Sequence, residues 1–349
     1  MTELSVSAQT AYAQLFDAAL GAEQLRSVAD LTGSFNAKTV KGRRYWYFQF
    51  TQPSGALTQI YVGPDGEPVR KLIERTKQPS VLAALEPLAA AAHALGCAAI
   101  LPRHERVLRR LCEYGFFRAG GLLIGTHALL CYGNMLGVRW GSHDLTQDID
   151  FAHAGKSISL ALPNNLHVET TAAIDSLRMG FLPISGLAGK TGGSFLVPKE
   201  PQFRLDFLAP LHRGGDEPFV HAQLNVTLQR LRFMEFLLEQ VAPAVVFSPE
   251  HVVVVNVPEP ARFALHKLIV FAARRGGFRS KATKDLSQAA HLLAYLWPDR
   301  GSSVRLALKD LRQRGKGWSA RFRVGVAALL KEYPALAENR PLQRALTGV

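Results

Sequence analysis

Two segments, "DIDFA" at residues 148–152 and "FRLDFLA" at residues 203–209, interleave aspartate with large apolar residues. Successive side chains of a β-strand point to opposite faces. The pattern therefore sends Ile149, Phe151, Leu205 and Phe207 into a core and leaves Asp148, Asp150 and Asp206 on the other side. Two carboxylates held together repel, an arrangement made tolerable mainly by a divalent cation, usually Mg²⁺. A third carboxylate on a neighbouring strand would complete a site for two ions, which suits phosphoryl or nucleotidyl transfer. The competing reading is the polar edge of a buried strand, with Asp206 salt-bridged to Arg204.

The surroundings of these strands define the fold class. From Phe116 onward short strands alternate with helices, as in an α/β or α+β unit. "AGGLLIG" (119–125) reads as a buried strand feeding the helix "THALLCYGNMLG" (126–137), with Thr126 as N-cap. Gly125 lets a backbone approach a phosphate closely, and the amides and Thr126 hydroxyl at the helix start can hold its oxygens. A helix at 167–180, a strand at 181–186 and the paired strands 193–197 and 203–209 follow. Arg139 and His143 fall in the intervening loop, either as substrate contacts or as ordinary loop residues.

The flanks differ. Residues 43–51 and 56–62, joined by a turn containing Pro53, Ser54 and Gly55, read as a hairpin. Helices at 79–96 and 102–115 follow, each stopping at a glycine. Beyond the core, 228–241, 260–276 and 281–296 read as helices and 251–258 as a strand. The expected division is an N-terminal β-hairpin and helical unit (1–98), a mixed-sheet α/β core (99–215) and a mainly helical C-terminal domain (216–349). Length supports it, since 349 residues exceed what one core usually carries.

The net charge of +13 is concentrated at the C-terminal end, where residues 216–349 carry 20 basic and 11 acidic side chains. Arg262, Lys267, Arg274, Arg275, Arg279, Lys281 and Lys284 occur without an intervening acid. Such a run fits nucleotide phosphates or nucleic acid, or else a solvated helix face. Lys267, at the edge of an apolar helix face, and Lys284 belong to this run, and His266 reads as a structural histidine. In "KGRRYWYFQF", alternation places Tyr45 and Tyr47 on one face and Trp46 and Phe48 on the other, either a base-stacking surface or a small packed unit. Three scattered cysteines exclude a disulfide framework or a Cys-based zinc site. No apolar run of membrane-spanning length and no signal-like start occurs, so a cytoplasmic chain without a membrane partner is expected.

"IGT", "TQDIDF" and "RLDF", in this order, resemble the DNA polymerase β-like nucleotidyltransferase superfamily. The resemblance is closest to a bacterial family described only as having a nucleotidyltransferase fold. It covers about 120–210 and extends more loosely to "PEPARFALHKLIV" and "KATKDLSQAAHLL". It implies that Asp148, Asp150 and Asp206 bind Mg²⁺ or Mn²⁺ and act in catalysis, Asp206 helping to activate an acceptor hydroxyl. It further implies that Gly125, Thr126 and Lys267 contact the phosphates of an NTP, with Lys284 a candidate for the same cleft. An acceptor such as RNA would receive the NMP, with release of pyrophosphate. A catalytically idle binding module and a metal-dependent nuclease are the alternatives.

Overall fold

The computed structural model describes residues 1–24, 33–51, 57–77, 83–141, 146–154, 168–185, 191–211, 215–274 and 279–348. The expected turn at Pro53, Ser54 and Gly55, together with His143 and Arg275, lies outside the described residues. So does the side chain of Arg279.

A mixed sheet runs in the order Phe219–His221, Val226–Leu231, Glu200–Pro210, Ile149–His153, Gly121–Leu123. The two aspartate strands lie side by side and parallel, Asp206 opposite Asp150 and Phe207 opposite Phe151. Gly121–Leu123 closes one side antiparallel to Ile149–His153. Two strands share the far edge of Glu200–Pro210: Thr191–Val197 pairs with it antiparallel and Val226–Leu231 parallel. This is an α/β architecture, helices packing around a sheet of mixed direction.

Alternation builds the core as the sequence requires. Ile149, Phe151, Leu205 and Phe207 are fully buried. The Phe151 and Phe207 rings stack at 5.0 Å, and Phe116 meets them edge-on at 5.5 and 5.8 Å. Helix Pro260–Ala273 starts at Glu259, whose carboxylate accepts from the Arg262 amide at 2.8 Å, with proline at its first position. It packs against helix Arg279–Gln313, which kinks at Arg300 just after Pro298, and against Lys316–Glu332.

Two expectations are corrected. Residues 228–241 are not a helix: strand Val226–Leu231, a single turn Met234–Leu237 and the start of strand Val241–Phe247 occupy them. The buried Val226 and Leu228 alternate with half-exposed Thr227 and Gln229, and pairing to two neighbouring strands outweighs the helix preference of leucine and glutamine. Val241–Phe247 pairs antiparallel with Val252–Pro258.

The N-terminal hairpin has a third strand, Ser34–Val40, paired with Arg43–Thr51. It turns through Lys41 and Gly42, both with positive φ, as a two-residue hairpin turn with matching twist demands. The N-terminal helix Val6–Gln24 packs on the 241–247 strand, where the Tyr12 hydroxyl donates to the Val245 carbonyl at 3.0 Å, and helix Glu86–Ala94 packs on that helix. Among the described residues, no helix is long and apolar enough to cross a membrane.

Candidate functional site

Parallel pairing of two strands brings the three carboxylates together. Asp148 precedes Ile149–His153, Asp150 lies within it, and Asp206 stands opposite on Glu200–Pro210. Each offers an oxygen within 4.8 Å of the others. Three hard oxygen donors of like charge are a donor set for Mg²⁺ or Mn²⁺, and without a cation they repel. Burial, then the charges of Asp148 and Asp206, push the Asp150 carboxyl up to about 6, against the opposing pull of Lys267 and Lys281. For Asp148, burial pushes upward, but a Thr146 hydrogen bond and the charges of Lys281 and Arg204 outweigh it and hold the group below its ordinary value.

Gly125 faces this cluster from the strand-to-helix turn. Its φ is +65°, and a Cβ there would lie 2.3 Å from Asp150 Oδ2. Both facts call for glycine: the backbone is left-handed, and the carboxylate occupies the space a side chain would need. Helix Gly125–Leu136 therefore opens its N-terminus beside Asp150. Thr126 does not cap it, since the cap position is Ile124 and no side-chain cap bond forms. The Thr126 hydroxyl is instead hydrogen-bonded to that of Thr146 at 3.1 Å, and Thr146 in turn serves Asp148.

Asp206 is held from two sides. Ser194 donates to Oδ1 at 2.5 Å, and Arg204 donates to Oδ2 through Nε at 2.8 Å and Nη2 at 2.7 Å. The salt-bridged reading of Asp206 and its membership of the cluster thus hold together. Arg204, two residues earlier on the strand, presents its guanidinium on the carboxylate face.

The basic run is partly neutralised within the fold. Arg262 is buried and paired with Glu239 at 2.8 Å and Asp310 at 2.7 Å. Lys267 and Arg274 both grip Asp285, at 3.0 and 2.5 Å. Burial disfavours ionised Asp285, but these two cations, Lys267 foremost, bring its carboxyl below the ordinary range. Lys267 still exerts its charge on Asp150, as does exposed Lys281. The charge of Lys284 bears on His127, which neighbours the turn. Arg139 donates to the Gly96 carbonyl at 2.9 and 2.7 Å. His266 is buried, and burial depresses its imidazole to about 3, the neutral structural residue expected.

Sequence reasoning missed Thr146, Ser194 and Lys281 as partners of the aspartates, and with them a pair of histidines. His104 Nδ1 and His127 Nε2 lie 2.9 Å apart, and the His104 ring stacks on Phe203 at 5.4 Å. Burial depresses both, His104 to about 4 and His127 to about 3, while Asp148 opposes the shift in each. No local pattern links residues 104 and 127. Only the burial of His127 on a helix beside the strand could have signalled it.

No curated protein and no solved structure matches the chain. A family model described as nucleotidyltransferase matches residues 103–313. The match spans both aspartate strands, the Gly125 turn and the helices carrying Lys267 and Asp285, and with more than half the chain covered this protein belongs to the nucleotidyltransferase family.

Proposed function

We propose that this nucleotidyltransferase is metal-dependent, of the DNA polymerase β-like type, and transfers NMP from an NTP to an acceptor hydroxyl with release of pyrophosphate. The observation that carries this reading is the meeting of three carboxylates, within 4.8 Å of one another, beneath a glycine turn that opens a helix. Asp148, Asp150 and Asp206 would hold Mg²⁺ or Mn²⁺, and the donor set fits such an ion. When bound, the ion would neutralise phosphate charge and acidify an acceptor hydroxyl.

The remaining roles belong to the chain. The helix amides following Gly125 would receive phosphate oxygens, since the helix start carries unsatisfied N–H groups and a positive dipole end. Lys267 and Lys281 supply positive charge on the side of Asp150, the former fixed by Asp285 so that its ammonium is pre-positioned. Thr126 and Thr146 would orient Asp148. RNA is the acceptor to test first.

A second reading, a catalytically idle binding module, has one observation in its favour. Both oxygens of Asp206 are already engaged, by Ser194 and Arg204. Incubation with each labelled NTP, Mg²⁺ or Mn²⁺, and a mixture of cellular RNA and protein separates the two, with Asp148→Ala/Asp150→Ala as control. Transfer that disappears in the control supports the enzyme. Equal label in both would sink the proposed site, and NTP binding without transfer would favour the idle module.

A further inference from the structure

The three-stranded sheet of residues 34–64 has two unlike faces. Trp46, Phe48 and Phe50 point to one, where Phe48 is fully buried against Phe35 at 5.1 Å and Phe50 at 6.1 Å. Helix Glu67–Thr76 lies against this side, Val69 meeting Gly63, and the Trp46 indole donates to Asp65 at 3.0 Å. This face is structural.

The opposite face carries Tyr45, Tyr47 and Tyr61. Tyr47 and Tyr61 are cross-strand partners with rings edge-to-face at 5.5 Å, and Tyr45 lies 6.3 Å from Tyr61. Tyr61 is 57% exposed, an unusual position for an aromatic ring that has two aromatic neighbours. Beside the rings runs a ladder of amides. Asn36 and Gln59 both donate to Gln49 Oε1, at 3.2 and 3.1 Å, and Lys38 donates to Gln59 Oε1 at 2.7 Å while standing 4.7 Å over the Tyr47 ring.

The charge of this segment is one-signed. Residues 33–64 contain Lys38, Lys41, Arg43 and Arg44 and no acidic residue. A cluster of three tyrosines with Lys38 and Arg43 on the same face complements a strand of unpaired bases on a phosphate backbone. Ring faces stack on bases regardless of sequence, and the cations follow the phosphates. A duplex, whose bases are already stacked, offers such a face little, and a neighbouring amide row suits the 2′-hydroxyls of ribose.

We infer that the Tyr45–Tyr47–Tyr61 face of this sheet binds single-stranded RNA. Bases stack on the tyrosines, phosphates run past Lys38 and Arg43, and Asn36, Gln49 and Gln59 face the sugars. The inference rests on the proposed transferase only for its purpose, which would be to hold the acceptor; the binding itself requires neither NTP nor metal.

Fluorescence anisotropy of the full chain with a labelled oligouridine of about 12 nucleotides, within the span such sheets engage, tests it. Tyr61→Ala is expected to weaken binding about tenfold, Tyr61→Phe to restore it, and Lys38→Ala to lower both affinity and salt dependence. DNA of the same sequence and duplex RNA should bind more weakly. Tyr61 is exposed enough to replace without unfolding; Tyr47→Ala, checked by its melting temperature, is the second variant. Wild-type affinity in both alanine variants would overturn the assignment, and DNA binding as tight as RNA would overturn its restriction to RNA. The Asp148→Ala/Asp150→Ala protein should bind RNA normally. Tyrosine-dependent binding without nucleotide transfer would leave this face standing while the transferase reading fell.

Discussion

Gly125→Ala is the substitution whose cost the geometry states most directly. Two contributions combine. A non-glycine residue at a φ of +65° costs roughly 1–2 kcal/mol. The added methyl would also lie 2.3 Å from Asp150 Oδ2, and relief of an overpacked contact typically costs about 1–3 kcal/mol. The expected loss is therefore about 2–5 kcal/mol. Gly180→Ala is the matched control: its φ is +79° with no atom within 4 Å of the new Cβ, so only the first cost applies, about 1–2 kcal/mol. Adding Asp150→Ala to Gly125→Ala removes the clashing oxygen and should recover most of the second, a coupling of about 1–3 kcal/mol. Urea unfolding of the wild type, the three single variants and the double, followed by circular dichroism in EDTA, measures each quantity. Equal losses at Gly125 and Gly180, with an additive double variant, would refute the claim that the turn is shaped around the carboxylate.

Four further outcomes are expected. Because the folded-state Asp150 carboxyl is raised to about 6 from an ordinary 3.8, the folded chain binds this proton more tightly than the unfolded chain. The Asp150 contribution to metal-free stability should thus rise as pH falls from about 6 towards 4, against the opposite contribution of buried His104, His127 and His266, and above pH 6 this carboxyl should carry its full penalty of roughly 2–3 kcal/mol. Asp150→Asn should be more stable than wild type at pH 7 and lose that advantage at pH 4, as read by melting temperature in EDTA. Mn²⁺ should raise the melting temperature of the wild type but not of Asp148→Ala, by mass action on the folded state. Arg204→Gln releases Asp206 Oδ2 and should tighten nucleotide-free Mn²⁺ binding in calorimetry, whereas weaker binding would show that the guanidinium helps shape the site. Asp285→Ala strands Lys267 and Arg274 and should cost about 3 kcal/mol in urea unfolding, against a much smaller change for Asp299→Ala at the helix kink.

The site was legible where the period of the side chains carries the information. Asp148, Asp150 and Asp206 could be placed on one side of adjacent strands because Ile149, Phe151, Leu205 and Phe207 had to occupy the other. Gly125 was legible as a turn, but not as the residue that makes room for Asp150, since that contact joins different segments. The internal pairing of the basic run was hidden for the same reason: the acids that neutralise Arg262 are Glu239 and Asp310, distant in the chain. In the fold, residues 228–241 read as a helix because their leucines and glutamines favour one, while the ladder that overrides them is set by strands elsewhere. The strand Ser34–Val40 could have been found from Lys41–Gly42, a two-residue turn between β-forming runs.

The parallel pairing of Asp150 with Asp206 also bears on how the protein is produced in a cell. A slip of one residue between these strands would turn Asp206 into the hydrophobic layer and Phe207 out of it, so only one alignment is viable. That one alignment is also the one in which negative charges collide. Assembly of the central sheet therefore brings Asp150 against the charges of Asp148 and Asp206, a repulsion that Arg204, Lys267 and Lys281 offset in part. On the proposed metal-bound reading, a divalent ion bound while the strands pair would relieve what remains of that repulsion before the site ever meets a substrate.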